Sequence, residues 1–190
     1  MAVHLTKIYT RTGDAGTTRL SDNSQISKTD PRLVAYADVD ETNSVLGVAL
    51  ATASFDAAIV EVLRTVQNDL FDVGADLSTP VVPKPRVPAA AGHPGLHRPA
   101  RRLVRRVQRA GAEAELVHPP RRHPGGALLH QARCTARRAE RSAWALLEVD
   151  AERSNALAAK YLNRLSDLLF ILARVANPDG DVLWRPGGGA

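Results

Sequence analysis

Apolar residues recur along this chain at helical rather than strand spacing. Ile59, Leu63, Val66, Leu70 and Val73 fall at i, i+4, i+7, i+11 and i+14, the seam of an amphipathic helix that starts at Asp56. Leu128, Ala132, Ala136, Ala139, Ala143 and Leu146 trace a second stripe and predict a helix over 127–149. Leu157, Tyr161, Leu165, Leu168, Leu172 and Val175 trace a third over 151–176, stopped by "NPDG". Upstream, Asp30 followed by Pro31 reads as an N-cap and first-turn proline, opening a helix that runs to residue 53. No alternating polar and apolar run is long enough for a convincing strand. The expected class is all-α, an antiparallel bundle with short connections.

Composition adds size and compartment. A chain of 190 residues with 44% apolar content fits one domain with a sizeable core. The opening "MAVHLTKIYT" carries no long apolar run or small-residue cleavage site, and no stretch approaches the ~20 apolar residues that span a bilayer. A soluble, cytoplasmic protein without membrane partners is expected. The lone cysteine, Cys134, excludes an internal disulfide and a multi-cysteine metal site, and is expected to be a small helical core residue. No residues are assigned to a protein-bound metal.

The formal charge is +5, with a pI of 9.9. Its location matters more than its total. Residues 84–126 hold ten Lys or Arg against Glu113 and Glu115, a net of +8, so the rest of the chain is at −3. A helical nucleic-acid-binding protein using the arginines of 98–141 is thereby disfavoured, because the charge sits in one odd segment and aromatics for base stacking are scarce. No nucleic-acid partner is expected.

Two elements suit anions. "TRTGDAGTTRL" (10–20) combines Gly13 and Gly16, whose backbone freedom can turn N–H groups inward, with the hydroxyls of Thr10, Thr12, Thr17 and Thr18. Lys28 lies a short reach away. A plain surface turn gives the same pattern. In the predicted helix after residue 127, Arg133, Arg137 and Arg141 repeat at i, i+4 and i+8, a strip of mutually repelling charge. That strip is either a solvated face or a bed for a polyanion such as a triphosphate, with Glu140 orienting the arginines. Asp38, Asp40 and Glu41 on the first helix either pair with arginines of a neighbouring helix or subunit, or face water. Asn163, set among seam residues, meets either a ligand adenine or ribose, or a structural partner.

Taken together, "KIYTRTGDAGTT", "AYADVDETNSVLG", "DLFDVGADLSTP", "ARRAER" and "YLNRLSDLLFILAR", in this order and spacing, resemble the ATP:cob(I)alamin adenosyltransferases of the five-helix-bundle type, over residues 5–82 and 127–186. The resemblance implies an antiparallel five-helix bundle, assembled as a homotrimer with active sites between subunits. Each site would hold ATP with Mg²⁺ and cob(I)alamin as acceptor substrate, with an adenosylcobalamin-dependent acceptor enzyme downstream. By position it implies ATP contacts at Thr10, Arg11, Thr12, Gly13, Thr18, Arg19, Lys28, Arg137, Arg138, Ala139, Glu140, Arg141 and Asn163. It further implies that Arg133 and Asp40 pair across the interface and, with Arg137, serve catalysis. The whole chain would be one such domain: an ATP-wrapping loop over 1–30, a bundle over 31–176 and a tail over 177–190. A non-catalytic nucleotide sensor or corrinoid chaperone on the same bundle is the rival that turnover would separate.

One segment departs from the family pattern. Residues 87–126 contain no Ile, Phe, Tyr, Trp, Asn or Asp, and hold four of the six histidines. Where the family has a stretch such as "SFILPGGTP", whose phenylalanine lies against the corrin, this chain has "LVHPPRRHPG". Back-translating Val117 to Gly125 and reading one nucleotide later gives codons compatible with Phe-Ile-Leu-Pro-Gly-Gly-Thr-Pro. The same shift makes "HPGLHRPARRLVRR" compatible with an ordinary amphipathic helix. Residues 85–126 are therefore expected to be an out-of-frame translation in a GC-rich gene.

Overall fold

A computed structural model describes residues 9–82 and 123–177. A two-stranded antiparallel hairpin, β1 (Thr17–Arg19) and β2 (Gln25–Ser27), precedes α1 (Pro31–Thr52) and α2 (Ala57–Ser78). After the gap come α3 (Pro124–Val149), a 3-10 turn (Ala151–Arg153) and α4 (Ala156–Val175). The fifth helix expected of the bundle, and most of 85–126, lie outside the described residues.

Each helix begins where local chemistry starts it. Asp30 Oδ1 accepts from Arg32 N at 2.8 Å, and Pro31 takes the first turn, as the sequence predicts. Asn155 Oδ1 accepts from Leu157 N at 3.0 Å, which moves the start of α4 from residue 151 to 156 and leaves 151–153 as a separate turn. His123 Nδ1 accepts from Gly125 N at 3.3 Å, so α3 opens at Pro124 rather than 127.

Packed neighbours run antiparallel. Asn43 and Gln67 exchange amide-to-carbonyl bonds between α1 and α2. Arg138 and Ser142 reach Asp38 between α3 and α1, Asn163 reaches Glu140 between α4 and α3, and the buried Tyr161 donates to Asp69 Oδ2 at 3.0 Å between α4 and α2. The second-helix seam is buried as predicted, from Ile59 to Val73. On α3, Ala132, Ala136, Ala139 and Ala143 are wholly buried, and their small side chains let α1 and α4 both lie close. Leu128 is half-buried while Leu129 and His130 turn inward, and Val175 at the frayed end of α4 is exposed. Cys134 is exposed, a correction to the expected core position: it lies between the inward-facing Ala132 and Thr135 but points off their stripe.

The hairpin is the departure from an all-helical reading. Its register pairs Thr17 with Ser27, Thr18 with Ile26 and Arg19 with Gln25. Asn23 closes the turn at φ 66°, a left-handed conformation that asparagine tolerates, and Asp22 Oδ1 accepts from Ser24 N at 2.9 Å. Strands of three residues, TTR and QIS, are too short to show an alternating pattern.

At the α1 N-terminal end lies a buried polar junction. Arg32 donates to Leu77 O (2.9 Å), Asp150 Oδ2 (2.7 Å), Arg153 O (3.0 Å) and Ser154 Oγ (2.8 Å), joining α1, α2 and the α3–α4 connection. The hairpin is tied to the same end of α2 through Ser21 Oγ and Ser78 Oγ, 2.7 Å apart. Beside Arg32, Asp76 is buried and no well-formed hydrogen bond reaches either carboxyl oxygen. Burial holds its pKa above the ordinary carboxylate value, against the pull of Asn155 and Arg32. The folded state therefore keeps this proton to higher pH than the unfolded chain does. That stability is present at low pH and is lost as pH rises through the folded pKa of Asp76. Asp69 shifts in the same direction through burial. Asp76→Asn is expected to flatten the fall in urea midpoint measured between about pH 4 and 8. An unchanged profile would assign the fall to other groups.

Candidate active site

The N-terminal loop is built from successive tight turns. Asp14 N donates to Arg11 O at 3.3 Å and Gly16 N to Gly13 O at 3.2 Å, after which Lys28 N donates back to Gly16 O at 2.9 Å. Gly16 has φ 76°, where a side chain would be strained, and Arg11 itself stands at φ 59°. The Arg11 guanidinium donates to Tyr9 OH at 3.0 Å and lies 5.3 Å from the Tyr9 ring centroid. The ammonium of Lys28 rests against Gly13, where a Cβ would come within 2.8 Å of Nζ. Thr10 and Thr12 share a hydrogen bond of 3.0 Å, and Thr18 is half-buried in β1. Arg11, Arg19 and Lys28 are all exposed in this loop and hairpin.

Arg19 also borders a groove of about 410 Å³ between the hairpin, α1 and α2, lined by Tyr36, Asp40, Asn43, Phe71 and Ser78 among others. Asp40 is exposed there and makes no ion pair among the described residues, whereas Asp38 and Glu41 turn to α3. Asp38 and Glu41 thus take the neighbouring-helix alternative. Phe71 is 70% exposed on the lip of the groove, an apolar surface that the helical pattern alone did not single out.

The second cationic element is the outer side of α3. Arg137 and Arg141 are exposed, and Arg133 is half-buried with Nε lacking a partner and Nη2 3.5 Å from Cys134 Sγ. Glu140 accepts from Asn163 Nδ2 at 3.0 Å, so it orients that amide rather than the arginines. Asn163 Oδ1 in turn accepts from Arg164 at 2.6 Å. Two expected contacts are placed elsewhere. Ala139 is fully buried in the core, its methyl group spent on packing, and Arg138 is bonded to Asp38 and Glu41 on α1. Among the described residues, no hydrogen bond or ion pair joins the loop cations to the α3 strip, nor Asp40 to Arg133. The loop cations and the α3 strip are thus two candidate half-sites on separate elements of one chain.

The family model described as "Cobalamin adenosyltransferase" matches residues 8–176, a span that holds both half-sites. The chain belongs to the cobalamin adenosyltransferase family. Among its relatives, the corrinoid adenosyltransferase of Mycobacterium tuberculosis strain H37Rv is 58% identical over 195 residues, covering 99% of this chain and 97% of that protein. The cobalamin adenosyltransferase of Cupriavidus metallidurans is 42% identical over 189 residues, covering 97% of each. Among solved structures, a variant of the PduO-type ATP:corrinoid adenosyltransferase of Lactobacillus reuteri, complexed with cobalamin and ATP, superposes with a TM-score of 0.83 at 31% identity, covering 94% of this chain and 99% of that one. For a cobalamin adenosyltransferase the two candidate half-sites acquire a chemical meaning: a cationic loop, bordered by the groove that holds Asp40, and an arginine strip.

Proposed function

We propose that the protein transfers the 5′-deoxyadenosyl group of ATP to cob(I)alamin, forming adenosylcobalamin and releasing triphosphate. The observation that carries this reading is the presence of two sets of cations on separate elements of one chain: Arg11, Arg19 and Lys28 in the loop and hairpin, Arg133, Arg137 and Arg141 on α3. In the proposed homotrimer, with sites between subunits, one copy brings its loop and its neighbour the arginine strip to the same triphosphate. Thr10, Thr12, Gly13 and Thr18 would line the phosphates with backbone and hydroxyl donors, while Asn163, steadied by Glu140, would face the nucleoside.

Cobalt(I) is already a strong nucleophile, so no side chain need remove a proton. The cobalt–carbon bond forms as the bond from the 5′-carbon to the phosphate oxygen breaks, and the electron pair leaves with triphosphate. The chain's task is to align the reactants, neutralise the departing charge and keep water out. Mg²⁺ would enter with ATP as part of the substrate complex, neutralising charge on the triphosphate.

Arg137→Ala is the direct test. Arg137 is exposed and off the apolar stripe, so the fold should survive while kcat/KM falls about 10- to 100-fold through the loss of a charge-assisted phosphate contact. Unaltered efficiency would refute the assignment. The frame-shift reading of 85–126 is tested separately by a tryptic peptide map of the purified protein. Peptides matching the arginine-rich sequence would overturn it and leave the corrin side without its aromatic wall.

A further inference from the structure

Arg138 stands in sequence between Arg137 and Arg141, yet its guanidinium turns away from them and onto α1. Its Nε donates to Asp38 Oδ1 at 3.1 Å and its Nη2 to Glu41 Oε2. One turn further along α3, Ser142 Oγ donates to Asp38 Oδ2, so both oxygens of Asp38 are taken by α3. The Asp38 side chain is only 16% exposed. A guanidinium committed to two carboxylates offers little to a triphosphate, and a phosphate that drew it away would strand a part-buried acid.

We propose that Arg138 is a positioning residue rather than a phosphate ligand. With Asp38, Glu41 and Ser142 it braces α1 against α3, and so sets the angle between Asp40 on the groove side of α1 and the Arg133–Arg137–Arg141 strip on the outer side of α3. The inference rests on the trimeric adenosyl-transfer reading above. In a closed ring every subunit offers Asp40 at one edge and the arginine strip at the other, so an error in that angle is repeated at each interface. Such an error moves the reactants apart without removing any group that binds ATP, and misplacement by about 1 Å is enough to cost rate. Of the two ion pairs, Arg138–Glu41 is half open to water and adds little to stability, whereas the part-buried Arg138–Asp38 pair is expected to carry a measurable coupling.

The test uses Arg138→Gln, Arg138→Lys, Asp38→Asn and the Arg138→Gln/Asp38→Asn double variant, with kcat and KM measured alongside the Kd of ATP by calorimetry. Arg138→Gln and Asp38→Asn should each lower kcat about tenfold while the Kd of ATP stays within about threefold, and the double variant should match the single ones. Arg138→Lys should recover much of the loss, because an ammonium still holds one carboxylate. A tenfold rise in the Kd of ATP for Arg138→Gln with Asp38→Asn unaffected would overturn the proposal, making Arg138 a phosphate ligand. Unchanged kcat in both would overturn it as well, leaving an ornamental ion pair. If the unaltered protein transfers no adenosyl group, that failure belongs to the proposed function. The brace is then decided by a double-mutant cycle in urea, where strict additivity of Arg138 and Asp38 would sink it.

Discussion

Replacing Arg32 by alanine is expected to destabilise the bundle by about 3 kcal/mol, near the lower end of the range for breaking a buried ion pair, because Asp150 keeps 29% exposure and water can reach it. Four acceptors lose their donor at once: Leu77 O, Asp150 Oδ2, Arg153 O and Ser154 Oγ. A loss of this size is a large fraction of the ~5–15 kcal/mol that holds an ordinary domain together. Arg32→Lys should rescue little, since one ammonium on a flexible stem cannot serve acceptors on both sides of a planar fork. The measurement is the urea unfolding free energy of both variants. A change below about 1 kcal/mol for Arg32→Ala would mean that water replaces the guanidinium at small cost.

The second large effect concerns the proposed pairing of Asp40 with Arg133 of a neighbouring subunit. Within one chain both are unpaired by any carboxylate or cation among the described residues, and Arg133 already buries a partnerless Nε. Removing either charge in the assembled protein strands the other, at up to about 3–5 kcal/mol where the interface is dry. Asp40→Asn and Arg133→Ala should each reduce kcat/KM, and the double variant should lose far less than the two losses combined. Sedimentation run beside the kinetics separates a lost trimer from a lost contact. Strict additivity would mean that the two residues do not meet, and Asp40 would then belong to the groove alone.

What the sequence disclosed was what repeats or what caps. The seam from Ile59 to Val73 is read directly because α2 buries one face, and Asp30–Pro31 is read because an N-cap is a local event. On α1 the pattern is blurred, since it packs against both α2 and α3 and buries polar Arg32, Thr42 and Asn43 with its apolar residues. The hairpin escaped because strands of only three residues are too short to show a period. Cys134 was misplaced because a small apolar side chain says nothing about which way a helix turns it. The roles of Asp38 and Asp40 could not be divided from spacing, two residues apart on a helix that meets different neighbours on opposite sides. Arg137 to Arg141 read as one motif, yet the helix sends Arg137 and Arg141 outward, Arg138 to α1 and Ala139 into the core.

The antiparallel pairing of α1 with α2 and of α3 with α4 bears on how the chain reaches this structure. Each pair is joined by a short connection, four residues over 53–56 and six over 150–155. Contacts within a pair are therefore near-neighbour contacts, closed at low entropic cost, whereas Arg138 meets Asp38 across a sequence separation of 100. Two helical hairpins are therefore expected to form first and dock second, with the α1–α3 seam closing late. Because the cost of closing a loop rises by only about 0.6 kcal/mol per doubling of its length, the docking step is governed by the alanine surface of α3 far more than by the length of chain between residues 82 and 123.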